Sequence, residues 1–310
     1  VLDNNVNYQT INGFGASACW WSQDVGSWDN ASDIMQALYD DDKGIGLNIY
    51  RYNLGAGSKN DSHILTKNRQ TECFLNADGT SRIYSIWDQT IPIENMKSGR
   101  IPDGFLFGAE YLRSNINEAL MSDNPKNIVP SVDTNGHGTF LAGVACGNKI
   151  DERNFSGVAP LADICVVKCR EAKDGLKRYF RIGGDKVVYG EQDIMLGIKY
   201  LWQTAVKAEK PLIICFGIGT NIGGHERGGC LGEYLESRGN YSGVCAVAAC
   251  GNEANAGHHY RSGLLRSGQD VEVELRTGSD DGFTIELWGD APNLYAIGII
   301  SPSGEYSGKT

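Results

Sequence analysis

No apolar run in this 310-residue sequence approaches the length of a membrane-crossing helix, so no segment reads as a transmembrane span. The opening stretch Val1 to Tyr8 has neither the basic segment nor the apolar core of a secretory signal. Positive charge is short: 28 Lys and Arg against 38 Asp and Glu give a net charge of −10, the reverse of what a nucleic-acid partner asks for. The one basic cluster (Lys168, Arg170, Lys173, Lys177, Arg178, Arg181) is interrupted by Glu171 and Asp174 and reads as a solvated face. There is no C-x-x-C pair among the nine irregularly spaced cysteines. That argues against a disulfide framework, and against a zinc site built from them with His258 and His259. The expectation is buried free thiols in a reducing compartment, with no metal and no cofactor.

What is present is an ordinary globular composition, 41% hydrophobic and 21% charged, at a length that allows two domains or one large α/β domain. Its character changes along the chain. Residues 1–65 are rich in Asn, Gly and Trp. Within them a short helix is expected over Asp33 to Tyr39, capped by Asn30 or Ser32, and a strand over Gly46 to Asn53. Residues 66–74 are polar and unpatterned and read as a junction. Arg82 to Trp87 is a β-branched and aromatic run closing on Asp88.

Across residues 75–267 strand and helix then alternate. Asp163 to Lys168, Leu212 to Phe216 and Val244 to Ala249 are apolar on successive residues, as strands covered on both faces are. Between the first two, Glu191 to Lys207 places Ile194, Ile198, Leu201 and Ala205 at helical spacing, and Cys230 to Leu235 reads as a further short helix. This order predicts an α/β fold with a parallel sheet between helices. After residue 268 the period becomes two, Val271, Val273 and Leu275 alternating with Glu272, Glu274 and Arg276, which predicts the start of an antiparallel β segment over 268–310.

The stretch richest in chemistry is Asp133-Thr134-Asn135-Gly136-His137-Gly138-Thr139-Phe140-Leu141-Ala142-Gly143. Glycines on both sides of His137 let the backbone turn and let other chain segments come close to the ring. The small residues that follow suit a helix packed near its neighbours. An imidazole at a helix start, open to a cleft, is the expectation.

This string resembles the histidine motif of the subtilase family, His-Gly-Thr followed two residues later by Ala-Gly. Gly157-Val158-Ala159-Pro160 with the strand after it, Phe216-Gly217-Ile218-Gly219, and Cys250-Gly251-Asn252 resemble three further subtilase segments in the same order. The resemblance implies a subtilisin-like parallel sheet and a serine endopeptidase. In it His137 is the general base, Asn252 the oxyanion donor, and Gly217, Ile218 and Gly219 the strand that pairs with bound polypeptide. It departs from the family in two places. No Gly-Thr-Ser string follows Asn252, and no aspartate segment of the family type precedes His137. Asp88 is the substitute that spacing permits. However, Asp78 through Gln89 resembles a stretch that follows the aspartate segment in clostridial, germination-type subtilases, a subtype that also carries a β insertion after the oxyanion asparagine. The lack of a signal or transmembrane segment and the cysteine usage lean to a cytoplasmic, spore-associated setting.

Tyr8-Gln9-Thr10-Ile11-Asn12-Gly13-Phe14-Gly15-Ala16-Ser17, Trp20-Trp21, and Gly46 to Gly57 resemble the start of glycoside hydrolase family 30, with Arg51 and Asn53 at the end of a first strand of its (β/α)8 barrel. Hydrolases of that family are commonly exported, which runs against the cytoplasmic lean. Trp20, Trp21 and Trp28 read as packing residues, with sugar stacking the alternative. A join of two unrelated gene fragments near 66–74 explains the missing aspartate. The expected function is peptide-bond hydrolysis by family, with this chain inactive. The alternatives are a pseudoprotease that binds a protein partner, and a glycoside hydrolase, which would need eight βα units and two acidic residues.

Overall fold

The computed structural model describes residues 15–17, 29, 31–39, 49–51, 73–150, 155–183, 186–224, 229–252, 256–277 and 283–310. The chain divides into two compact units, Val1–Cys73 and Phe74–Thr310. Trp20, Trp21, Trp28 and Asn53, on which the family-30 resemblance partly rests, lie outside the described residues.

In the first unit β1 (Gly15–Ser17) and β2 (Ile49–Arg51) pair in parallel, Ala16 opposite Tyr50, and α1 (Ala31–Tyr39) lies between them in sequence. Parallel neighbours need such a crossover. Asp33 in the first turn of α1 faces the positive end of the helix dipole.

In the second unit β3 (Ile83–Asp88) is the centre of a three-stranded sheet. It runs antiparallel to β4 (Ala109–Leu112) and parallel to β5 (Ile164–Lys168). Helix α2 (Arg113–Leu120) follows β4 directly. Helix α3 (His137–Cys146) and the short α4 (Asp174–Tyr179) lie on either side of β5 in sequence. After α5 (Glu191–Lys207), strand β6 (Leu212–Phe216) pairs in parallel with β7 (Val244–Ala248), joined through α6 (Cys230–Gly239).

Two apolar clusters hold the unit. Trp87, Phe105 and Tyr200 pack together, the Trp87 ring 4.5 Å from Phe105 and 5.3 Å from Tyr200. Ile198, Leu212 and Ile214 form the second, with Ile194, Leu201 and Ala205 against it, the residues read from helical spacing. Leu201 touches both clusters, so α5 underlies both sheets. Gly197 permits this approach on the β5 side, since a Cβ there would stand 3.2 Å from Val167 Cγ1. Arg82, at the head of β3 and only 3% exposed, donates to the Asn148 side chain at 2.9 Å, to the Ala162 carbonyl at 2.7 Å and to the Cys146 carbonyl. It thereby ties the sheet to the end of α3.

Three sequence expectations need revision. The thiols are not uniformly buried: Cys215, Cys230, Cys245 and Cys250 are exposed. Burial pushes Cys165 and Cys169 up to about 11 and raises Cys146 as well, the pattern of inert buried thiols. The exposed ones sit on or beside β6 and β7, whose residues facing away from α5 and α6, such as Ile213 at 67% and Val247 at 55% exposure, have no covering layer among the described residues. The basic cluster is a solvated face in part: Lys173, Arg178 and Arg181 are exposed, while Lys168 pairs with Asp88, Arg170 with Asp193 and Lys177 with Glu171. Finally, antiparallel pairing after residue 268 is realised at its far end, where Ile297 and Thr310 exchange backbone hydrogen bonds of 3.0 Å and Ile300 bridges Tyr306. Val271, Val273 and Leu275 pair with no strand among the described residues and stay exposed. No helix among the described residues is long and apolar enough to cross a membrane.

Candidate functional site

His137 is the first residue of α3, as its flanking glycines predict. Gly136 holds φ +84°, the left-handed conformation that glycine adopts without a Cβ penalty, and this turns the chain into the helix. Asp133, to which the subtilase resemblance assigns no role, anchors the turn. Its carboxylate accepts from the N–H groups of Asn135 (3.1 Å), Gly136 (2.7 Å) and Thr139 (3.0 Å) and from the Thr139 hydroxyl (2.7 Å). The signal was available, since Asp shortly before an apolar helix is a capping pattern.

Burial works to raise the Asp133 pKa, but these donors outweigh it and hold the carboxyl below its ordinary value. A carboxyl depressed in the fold contributes stability above its unfolded value and loses it as pH falls through the folded one. The start of α3 should therefore fray in acid, below about pH 4. Asp133→Ala should cost about 1 kcal/mol and speed amide exchange at Thr139 and Phe140. Unchanged exchange at both amides would remove Asp133 from this role.

His137 is exposed, and its ring borders the end of β6: a Cβ on Gly217 would lie 3.3 Å from His137 Cε1 and 2.0 Å from Leu141 Cδ1. Only glycine lets α3 approach the strand end so closely. One turn of chain further, a Cβ on Gly219 would lie 3.8 Å from Gly251 Cα, beside the exposed Asn252. The parallel pairing of β6 with β7, Phe216 opposite Ala248, brings these two strand ends together. His137, Gly217, Ile218, Gly219 and Asn252 thus gather at the C-terminal ends of two parallel strands, where open α/β sheets form their crevices.

Asp88 is not part of this group. Its carboxylate is fully buried at the end of β3. One oxygen accepts from the Thr90 N–H (2.8 Å) and hydroxyl (2.5 Å), the other from Ser131 (2.6 Å), with Lys168 Nζ at 3.4 Å. Among the described residues no carboxylate or hydroxyl is hydrogen-bonded to the His137 ring. No group of three His, Cys, Asp or Glu among them could hold a metal ion.

The family model of O-glycosyl hydrolase family 30 matches residues 1–179. No curated protein sequence matches the chain. One solved structure that does is "Structure of the Clostridium Perfringens CspB protease", 31% identical, with a TM-score of 0.48, over 60% of this chain and 34% of that one. The chain therefore spans about a third of the length of that protease.

Proposed function

We propose that this chain, which belongs to O-glycosyl hydrolase family 30 through residues 1–179, carries in its second unit a subtilisin-like peptidase core without a working nucleophile. The observation that carries this reading is the convergence at the ends of β6 and β7, with His137 against Gly217 and Gly219 against Gly251 beside Asn252. An imidazole suits both halves of acyl transfer, taking a proton from an attacking hydroxyl and returning it to the leaving amine. A side-chain amide such as that of Asn252 can donate to the oxyanion that develops on the scissile carbonyl. The backbone of Gly217 to Gly219, half-buried at Gly217 and exposed at Ile218 and Gly219, can pair with an extended polypeptide as an added strand.

The reaction needs an oriented hydroxyl and a carboxylate behind the imidazole. His137 has neither partner among the described residues, and Asp88 is engaged elsewhere. Incubation of the 310-residue chain with a fluorophosphonate serine probe should give no labelling. Stoichiometric labelling would overturn the inactive reading. Addition of an extended peptide should shift the amide resonances of Gly217 to Gly219, and no shift there would overturn the peptidase-core reading.

That no carboxylate or hydroxyl among the described residues is hydrogen-bonded to the His137 ring favours a second reading, a pseudoprotease that binds a protein partner without cleaving it. A third, hydrolysis of glycosides, has the family match behind it. Release of sugar from a β-linked glucan or galactan would establish that activity.

A further inference from the structure

We draw no further inference here: the strongest candidate, the cavity of about 500 Å³ at the ends of β3 and β5 lined by Gln89, Thr90, Ile93, Phe107, Arg170 and Glu171, carries nothing, because its polar side chains are each bonded within the chain and nothing in the structure shows what covers its apolar ones.

Discussion

Asp88→Ala should lower the unfolding free energy by about 2–4 kcal/mol, read as a fall in the urea midpoint, although spacing made Asp88 a candidate for catalysis. The carboxylate is fully buried, and both oxygens are occupied by Thr90, Ser131 and Lys168. Its removal strands two hydroxyls and one N–H, each costing about 1–3 kcal/mol where water cannot reach. It also leaves the Lys168 ammonium without its counter-ion, a smaller loss because that side chain is 33% exposed. Asp88→Asn keeps the shape and some of the hydrogen bonds, so it should cost about half as much. The nearby Tyr111 phenol, buried with no hydrogen-bond partner, is pushed up by its own burial and then by the charge on Asp88. Its titration should move down in Asp88→Asn. A midpoint for Asp88→Ala within about 0.5 kcal/mol of the parent would end the structural account.

The residues that disclosed themselves in the sequence are those whose partners lie close by or recur with a period. Ile194, Ile198, Leu201 and Ala205 point to one face because 3.6 residues make a turn, and α5 buries that face. His137 announces a helix start through its own neighbours. Arg82 could not be read in this way. A lone arginine opening a strand looks like a surface residue, and its burial depends on carbonyls at Cys146 and Ala162 brought to it only by the tertiary fold. The same holds for Asp88, whose partner Ser131 is 43 residues away. Cys215 and Cys245 misled for a different reason. Continuous apolar strands imply layers on both faces, but here α5 and α6 cover one face and nothing among the described residues covers the other. The sequence pattern records a demand for burial, not what supplies it. For the site, the grouping of His137, Gly217 and Gly251 follows from strand order, which local pattern does not specify.

Asp193→Ala should destabilise the chain by about 3 kcal/mol, because it breaks the link between α5 and the sheet it underlies. Asp193 stands in the first turn of α5 at 2% exposure and takes both arms of Arg170, each at 2.8 Å. Arg170 also lies 4.1 Å over the Phe107 ring, and its backbone N–H donates to Gln89 Oε1. Gln89 in turn donates to the Asp193 carbonyl at 3.0 Å. The three residues therefore close a ring of hydrogen bonds between the end of β3, the loop after β5 and the head of α5. The hydrogen bonds that Arg170 donates to Asp193, and then the desolvation that partly opposes them, leave Arg170 above its ordinary pKa, so the guanidinium cannot escape by losing its proton. Removing only the carboxylate abandons a two-thirds-buried cation, whereas the double variant Arg170→Met with Asp193→Leu removes both charges and keeps the volume. The double variant should recover most of the loss, to within about 1 kcal/mol of the parent, as replaced buried pairs do. If it is as unstable as Asp193→Ala alone, the stability comes from the hydrogen-bonded geometry of the ring and not from the balance of charge. The accompanying readout is exchange at the α5 amides near Asp193, which should quicken in the single variant and return in the double one only if charge balance is what seats the helix.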